Sequence, residues 1–165
     1  MRLQLDIPHS LSGQHVPQLV RTKDGRPRAV PDPKQVSEGN IIIEYLRGAV
    51  ADQGWKYVPR QSPDHPEQVV RLHILQHRVR PTGWSPKKQE ALVYKRCTKT
   101  PDGSNLLKQV EDAAKGIVFE DDCQVECVGI VRIWGRREMT ILTFESECYP
   151  PVMWGKKSRG GKGNP

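Results

Sequence analysis

Proline and glycine set the first limit on what this chain can become. Fourteen of each are scattered through 165 residues. Neither suits the interior of a helix or strand: proline lacks the N–H and locks φ, and glycine loses conformational freedom with no side chain to pack. Long connecting stretches are therefore required around a core that the 36% hydrophobic residues keep modest. The length predicts one domain rather than two short halves. No stretch approaches the roughly 20 apolar residues of a membrane span. The start, Met1-Arg2-Leu3-Gln4-Leu5-Asp6, lacks a signal peptide's apolar run. A soluble, cytoplasmic protein with no membrane partner is expected. The cysteines at 97, 123, 127 and 148 show no CxxC spacing, which speaks against a zinc ribbon or a disulfide scaffold and for reduced thiols without a role.

Alternation in residues 2 to 7 predicts a half-buried strand ended by Pro8. From Pro8 to Ser37 the sequence reads as a long loop, Pro-rich and basic through Arg21, Lys23, Arg26, Arg28 and Lys34. It suits either phosphate contacts or a solvated linker. Ile41, Ile42, Tyr45, Leu46, Ala49 and Val50 recur at helical spacing, predicting a helix over 37 to 52 with Ser37 as N-cap and Gly54 at its end. After a turn-rich break, Gln61 to Pro66, Val69 to His77 reads as a second strand. There His73 and His77 share a face but stand about 13 Å apart, too far for a two-His metal site. Arg80 to Glu90 reads as another loop, carrying Arg80, Lys87, Lys88 and Trp84, and Ala91 to Thr98 as a short strand-like piece. Val125 to Ile133 and Met139 to Phe144 flank Trp134-Gly135-Arg136-Arg137-Glu138 as a predicted hairpin. The expected fold class is α+β, a small mixed sheet with two main helices packed on it and long basic loops. The domain is expected over 1 to 147, with a basic disordered tail over 148 to 165.

Charge is unevenly placed. The whole chain carries +7 with 26 Lys and Arg, but Asp102 to Glu126 holds seven carboxylates against Lys108 and Lys115, net −5, leaving +12 on the other 140 residues. Metal-assisted phosphodiester chemistry needs that division: positive charge collects the polymer, and carboxylate oxygens hold a hard cation beside it. An acidic surface that merely solvates the fold is the plainer alternative. Leu106, Leu107, Val110, Ala113 and Ala114 form an apolar stripe between Ser104, an N-cap candidate, and Gly116, a C′ candidate, predicting a helix over 105 to 115. At about 100° per residue, Asn105, Lys108 and Asp112 fall together on the opposite face. Asp102 precedes this helix, and Asp121 and Asp122 stand at the entrance to the strand that begins near Gln124.

Pro101-Asp102-Gly103-Ser104-Asn105-Leu106-Leu107-Lys108, then Asp112-Ala113, Gly116 and Asp121-Asp122-Cys123-Gln124-Val125, resemble the signature of the RusA-type Holliday junction resolvases. That signature is a Pro-Asp-x-Asp-Asn-Leu-x-Lys run, an Asp-Ala in the same helix and a downstream Asp-Asp-x-Gln-Val. The resemblance extends more weakly over residues 2 to 146. It implies a Mg²⁺-dependent endonuclease, with Mn²⁺ an acceptable substitute, usually a homodimer, that nicks four-way DNA junctions symmetrically. By position it makes Asp102 and Asp122 metal-binding catalytic carboxylates and Lys108 a phosphate-side cation. Asp121 and Ser104 complete the metal set, with Asn105 and Asp112 in support. The sequence departs from the pattern at Ser104, where the family commonly has another metal-binding Asp. A hydroxyl keeps an oxygen donor and loses one negative charge.

Two other classes remain open at this level: a non-catalytic binder of branched DNA with the same fold, and an RNA-binding or protein-interaction module. Trp55, Trp84, Trp134 and Trp154 offer either stacking surfaces for unpaired bases or ordinary packing.

Overall fold

The computed structural model describes residues 1–13, 18–21, 23–24, 26–30, 32–60, 68–98 and 102–148. The expected break at Gln61 to Pro66, Pro101, Trp154 and the tail from Tyr149 lie outside the described residues. Strand β1 (Arg2–Ile7) is followed by β2 (Gln18–Arg21) and β3 (Pro27–Val30), which pair antiparallel as a separate ribbon. Then come α1 (Pro33–Gln53), β4 (Gln68–Val79), α2 (Pro86–Ala91), α3 (Gly103–Ala114), β5 (Val125–Gly135) and β6 (Met139–Cys148). The main sheet has the order β1-β6-β4-β5, antiparallel except for the parallel β4–β5 pair that brackets α3. This is the α+β fold expected, with two long α-helices and one short one among the described residues.

The strands bury alternate residues because the strand period is two. Leu3, Leu5 and Ile7 of β1, Val70, Leu72 and Ile74 of β4, and Leu142 and Phe144 of β6 form one cluster with Ile42 and Leu46 of α1 and Leu106 and Val110 of α3. Each such side chain contributes roughly 1.5–3 kcal/mol by leaving water. The opposite face carries Arg71, His73 and Leu75, all partly exposed.

Several boundaries differ from expectation, and proline explains most of them. Helix α1 starts a full turn before Ser37: Asp32 caps it, its carboxylate accepting from the Lys34 N–H at 2.8 Å, and Pro33 takes the first helical position. There its missing N–H costs nothing. Ser85 and Pro86 open α2 in the same way inside the expected loop. The far end of α1 is as predicted, with Gly54 at φ 64° donating to Val50 O. Within the Pro8 to Ser37 stretch, β2 and β3 form a ribbon rather than plain loop. Ala91 to Thr98 makes only a single bridge, Arg96 to Ile133, and is no strand.

The predicted hairpin of β5 and β6 does not form, because β4 lies between them. The Trp134–Glu138 link crosses the end of β4, roughly two interstrand spacings of 4.8 Å. It does so at such close quarters that a Cβ on Gly135 would stand 2.9 Å from His77 Cβ. A tight turn and a short crossing over one strand look alike in sequence.

The chain after β1 is fastened to both long helices by a buried polar set. Glu38, 8% exposed, accepts from the Ser12 N–H and hydroxyl, each at 2.8 Å, and from Gln109 Nε2 at 3.2 Å. Gln109 Oε1 accepts from the Gly13 N–H at 3.1 Å. Gly13 has φ 77°, and a Cβ there would meet Leu106 N at 3.0 Å and Asn105 C at 3.1 Å. Gly13→Ala is expected to destabilise the fold by about 2 kcal/mol, the scale of one strained backbone position, in denaturant unfolding. Gly39→Ala, in an open helical position with nothing within 4 Å, is expected to stabilise by up to about 1 kcal/mol.

Candidate active site

Helix α3 sorts its residues as its periodicity demands. Leu106, Val110, Ala113 and Ala114 are buried, while Lys108 and Asp112 face out. Its start is Gly103, with Asp102 rather than Ser104 at the N-cap, backbone extended at φ −64°, ψ 144°, and no side-chain cap bond. Either residue type caps a helix well. The Leu106 N–H donates to Asp102 O at 3.3 Å, closing the first turn ahead of Ser104, and Gly13 lies against that turn, where a Cβ would meet Leu106 N at 3.0 Å. Asp102, Ser104 and Asn105 are all exposed at this end.

At the other end the chain is led back over the helix. Gly116, at φ 78° as expected for a C′ glycine, donates to Phe119 O at 2.8 Å. Val118 and Phe119 are fully buried, and Val58 donates its N–H to Val118 O at 3.1 Å and accepts from the Glu120 N–H at 3.0 Å. A capping box at Asp121 and Gln124 closes a short 3-10 turn, Asp122–Gln124, and Gln124 Nε2 donates to Pro59 O at 2.7 Å. The adjacent pair Asp121 and Asp122 is thereby held over the polar face of α3.

Charge complementarity is close. Lys108 Nζ lies 2.9 Å from Asp122 Oδ2 and 3.0 Å from Asp112 Oδ1. Lys115 Nζ lies 3.1 Å from Asp121 Oδ1 and 3.8 Å from Asp122 Oδ1, and Arg60 Nη1 3.3 Å from Asp121 Oδ2. The Lys108 hydrogen bond, with help from Asp121, lowers the Asp122 pKa from 3.8 to about 2. Hydrogen bonds from Lys108 to Asp122 and Asp112 hold the ammonium well above the usual lysine value. The hydrogen bond to Asp121 raises Lys115. Burial pushes the Glu111 carboxyl and the Cys127 thiol up.

The structure therefore brings Lys108, Asp112, Asp121 and Asp122 together. Asp102 stands apart at the helix start, six residues or roughly 9 Å of helix before Lys108. Among the described residues no group of three or more His, Cys, Asp or Glu is placed to hold a metal ion. Lys115 and Arg60 were not singled out from sequence. Lys115 had a legible signal, standing seven residues after Lys108 and so on the same helical face. Arg60 had none, since only the pairing of Val58 with Phe119 brings it near.

Among the basic residues, Arg21, Lys23, Arg26, Arg28 and Lys34 are exposed on and beside the β2–β3 ribbon, and Lys87 and Lys88 on α2. Arg80 is committed to the fold, its guanidinium donating to Gln89 O at 2.6 Å. Trp55 and Trp134 are 7% exposed. Trp134 packs edge-to-face on Trp84 at 5.1 Å, and Lys88 Nζ lies 4.6 Å from the Trp84 ring centre, so packing is the main role of these rings. Cys97, Cys123 and Cys127 are free thiols.

Basic charge outside and paired carboxylates and lysines within one cluster are the equipment of a phosphodiester-cleaving protein. The family model for endodeoxyribonuclease RusA matches residues 24–143, well over half of the chain. The chain belongs to this family of endodeoxyribonucleases, which resolve Holliday junctions by hydrolysing phosphodiester bonds, depend on a metal and bind branched DNA. A search of curated proteins finds no match. No helix among the described residues is long and apolar enough to cross a membrane.

Because the Asp122 pKa is lowered in the folded state, its pairing supports the fold fully above the ordinary value of 3.8 and is lost as pH falls through about 2. Lys108→Met is expected to return the Asp122 titration to the ordinary carboxylate range, followed by NMR of the side-chain carboxyl carbon. An unchanged midpoint would show that another group lowers it.

Proposed function

We propose that the chain resolves four-way DNA junctions by paired nicks, with Mg²⁺ as its metal and Mn²⁺ as a working substitute. The observation that carries this reading is the junction of Asp121 and Asp122 with Lys108 on one polar face, in the segment where the family pattern is densest. The donor set suits a hard ion, because every side chain offered is an oxygen ligand. The Lys108 ammonium already bridges two of the carboxylates, Asp112 and Asp122, at 3.0 and 2.9 Å. By the family pattern Asp102 and the Ser104 hydroxyl would join Asp121 and Asp122 around the ion, although in this structure no three of the described acids are gathered for one. When bound, it supplies Lewis-acid stabilisation of charge on phosphoryl oxygens and a more acidic water.

The chain's own residues do the remainder. Lys108, held on this face by Asp112 and Asp122, would offer its N–H donors to the phosphate under attack. Asp112, four residues on, keeps the ammonium charged and aimed. Asn105, on the same face, supports the position of the phosphate. Arg21, Lys23, Arg26, Arg28 and Lys34 on and beside the ribbon, with Lys87 and Lys88, line up phosphates without reading bases. Paired cuts require two such sites related by a two-fold axis, which a homodimer supplies.

Cleavage of a synthetic four-way junction in Mg²⁺ tests the reading. Asp122→Asn and Asp102→Asn are each expected to lower the cleavage rate by roughly 100-fold or more, the scale of losing a group that stabilises developing charge, with junction affinity in EDTA kept. Binding by the wild type with no cut in any divalent ion would favour the non-catalytic binder. Ser104→Asp, which restores the missing charge, is expected to reduce the Mg²⁺ concentration needed for half-maximal rate.

A further inference from the structure

Tyr94 is the one non-glycine residue with positive φ among those described, at 62°, and the most exposed large hydrophobic side chain there, at 65%. A bulky L residue in this region bears a backbone cost that glycine would avoid. An outlier kept at such a place points to work done by the side chain.

The backbone around it is pinned to the free edge of β5. Tyr94 N–H donates to Trp134 O at 2.8 Å, Trp134 N–H to Lys95 O at 2.9 Å, and Cys97 N–H to Arg132 O at 2.8 Å. The ring meets the His77 imidazole edge-on, at 6.4 Å between centres and 77° between planes. Gly135, with no side chain, leaves His77 its place, for a Cβ there would stand 2.9 Å from His77 Cβ and 3.1 Å from Nδ1. An edge contact props the ring and leaves a face open to solvent. Lys95 and Arg96 follow directly, both exposed, and among the described residues neither forms an ion pair. Arg136, exposed beyond the end of β5, pairs with Glu90 at 2.9 Å.

An open aromatic face flanked by unneutralised cations is the pattern that holds single-stranded or unstacked nucleotides, the ring taking the base and the cations its phosphates. We propose that Tyr94 is a stacking platform for an unstacked nucleobase of branched DNA, with Lys95 and Arg96 gripping the adjoining phosphates. This rests on the reading that the chain binds branched DNA. The platform is separate from the acidic cluster: the ten residue steps of β5 between Val125 and Gly135 span roughly 33 Å. Tyr94 is accordingly a recognition residue and not a catalytic one.

The test compares anisotropy titrations of the full chain, in EDTA, with a four-way junction and with linear duplex of equal length. Tyr94→Gly suits the native φ, so its melting temperature is expected to match or exceed the wild type's. Its junction affinity is expected to fall roughly tenfold, within the range of one base–aromatic stack, with duplex affinity and the salt dependence of binding unchanged. Tyr94→Trp is expected to keep junction affinity within about twofold, since any aromatic face serves. Lys95→Ala with Arg96→Ala is expected to flatten the salt dependence by about two counterions. Wild-type junction binding by Tyr94→Gly, an equal loss on duplex, or a loss explained by a shift from dimer to monomer in sedimentation would overturn the proposal. A wild-type protein with no junction preference would instead remove the branched-DNA reading beneath it.

Discussion

The Lys108 ammonium shared between Asp112 and Asp122 is the contact that gives the acidic segment its form. Two carboxylates on different elements, one from α3 and one from the turn before β5, converge on a single cation at 3.0 and 2.9 Å. Without that positive centre, and without Lys115 and Arg60 beside Asp121, the gathered carboxylates would face one another unneutralised. Opposite charge within about 4 Å favours the ionised form of each partner, which is why the carboxylate is pushed down and the ammonium up. Lys108, which offsets part of the charge of the gathered acids, is also the residue that faces a phosphate in the proposed reaction.

That cluster is only as well placed as the scaffold beneath it. Helix α3 is held from one side by the core and from the other by an unusual buried polar set, in which Gln109 joins Gly13 to Glu38 of α1. The opposite anchor is the path from Gly116 through buried Val118 and Phe119 to the capping box of Asp121 and Gln124. Both anchors use backbone N–H groups and carbonyls that need partners once buried. Site geometry and fold stability thus share their hydrogen bonds, and the parallel β4–β5 pair supplies the crossover that α3 fills.

Much of this was legible in the chain. Strand β1, the core stripe of α3, the helix-ending glycines at 54 and 116, and the separation of acidic from basic segments all follow from period, cap chemistry and charge. The errors have physical sources. Prolines at 33 and 86 read as loop formers, yet each begins a helix, because a first-turn residue has no N–H to contribute. The ribbon of β2 and β3 was hidden in a Pro-rich stretch whose composition says loop. The link from Trp134 to Glu138 satisfies a turn and a strand crossing equally. Asp102 and Ser104 are both good caps, so residue type alone does not fix the start of α3 at Gly103.

By itself the sequence determined which residues face inward, where most elements stop, and that seven carboxylates lie in a segment of an otherwise basic chain. These are local matters, set by side-chain period, backbone restriction and net charge. Only the tertiary structure decided that β4 parts β5 from β6, that Arg60 stands beside Asp121, and that Tyr94 is held in a left-handed conformation against the edge of β5. Such contacts join residues far apart in the chain, and their energies depend on packing and pairing that no short window of sequence contains.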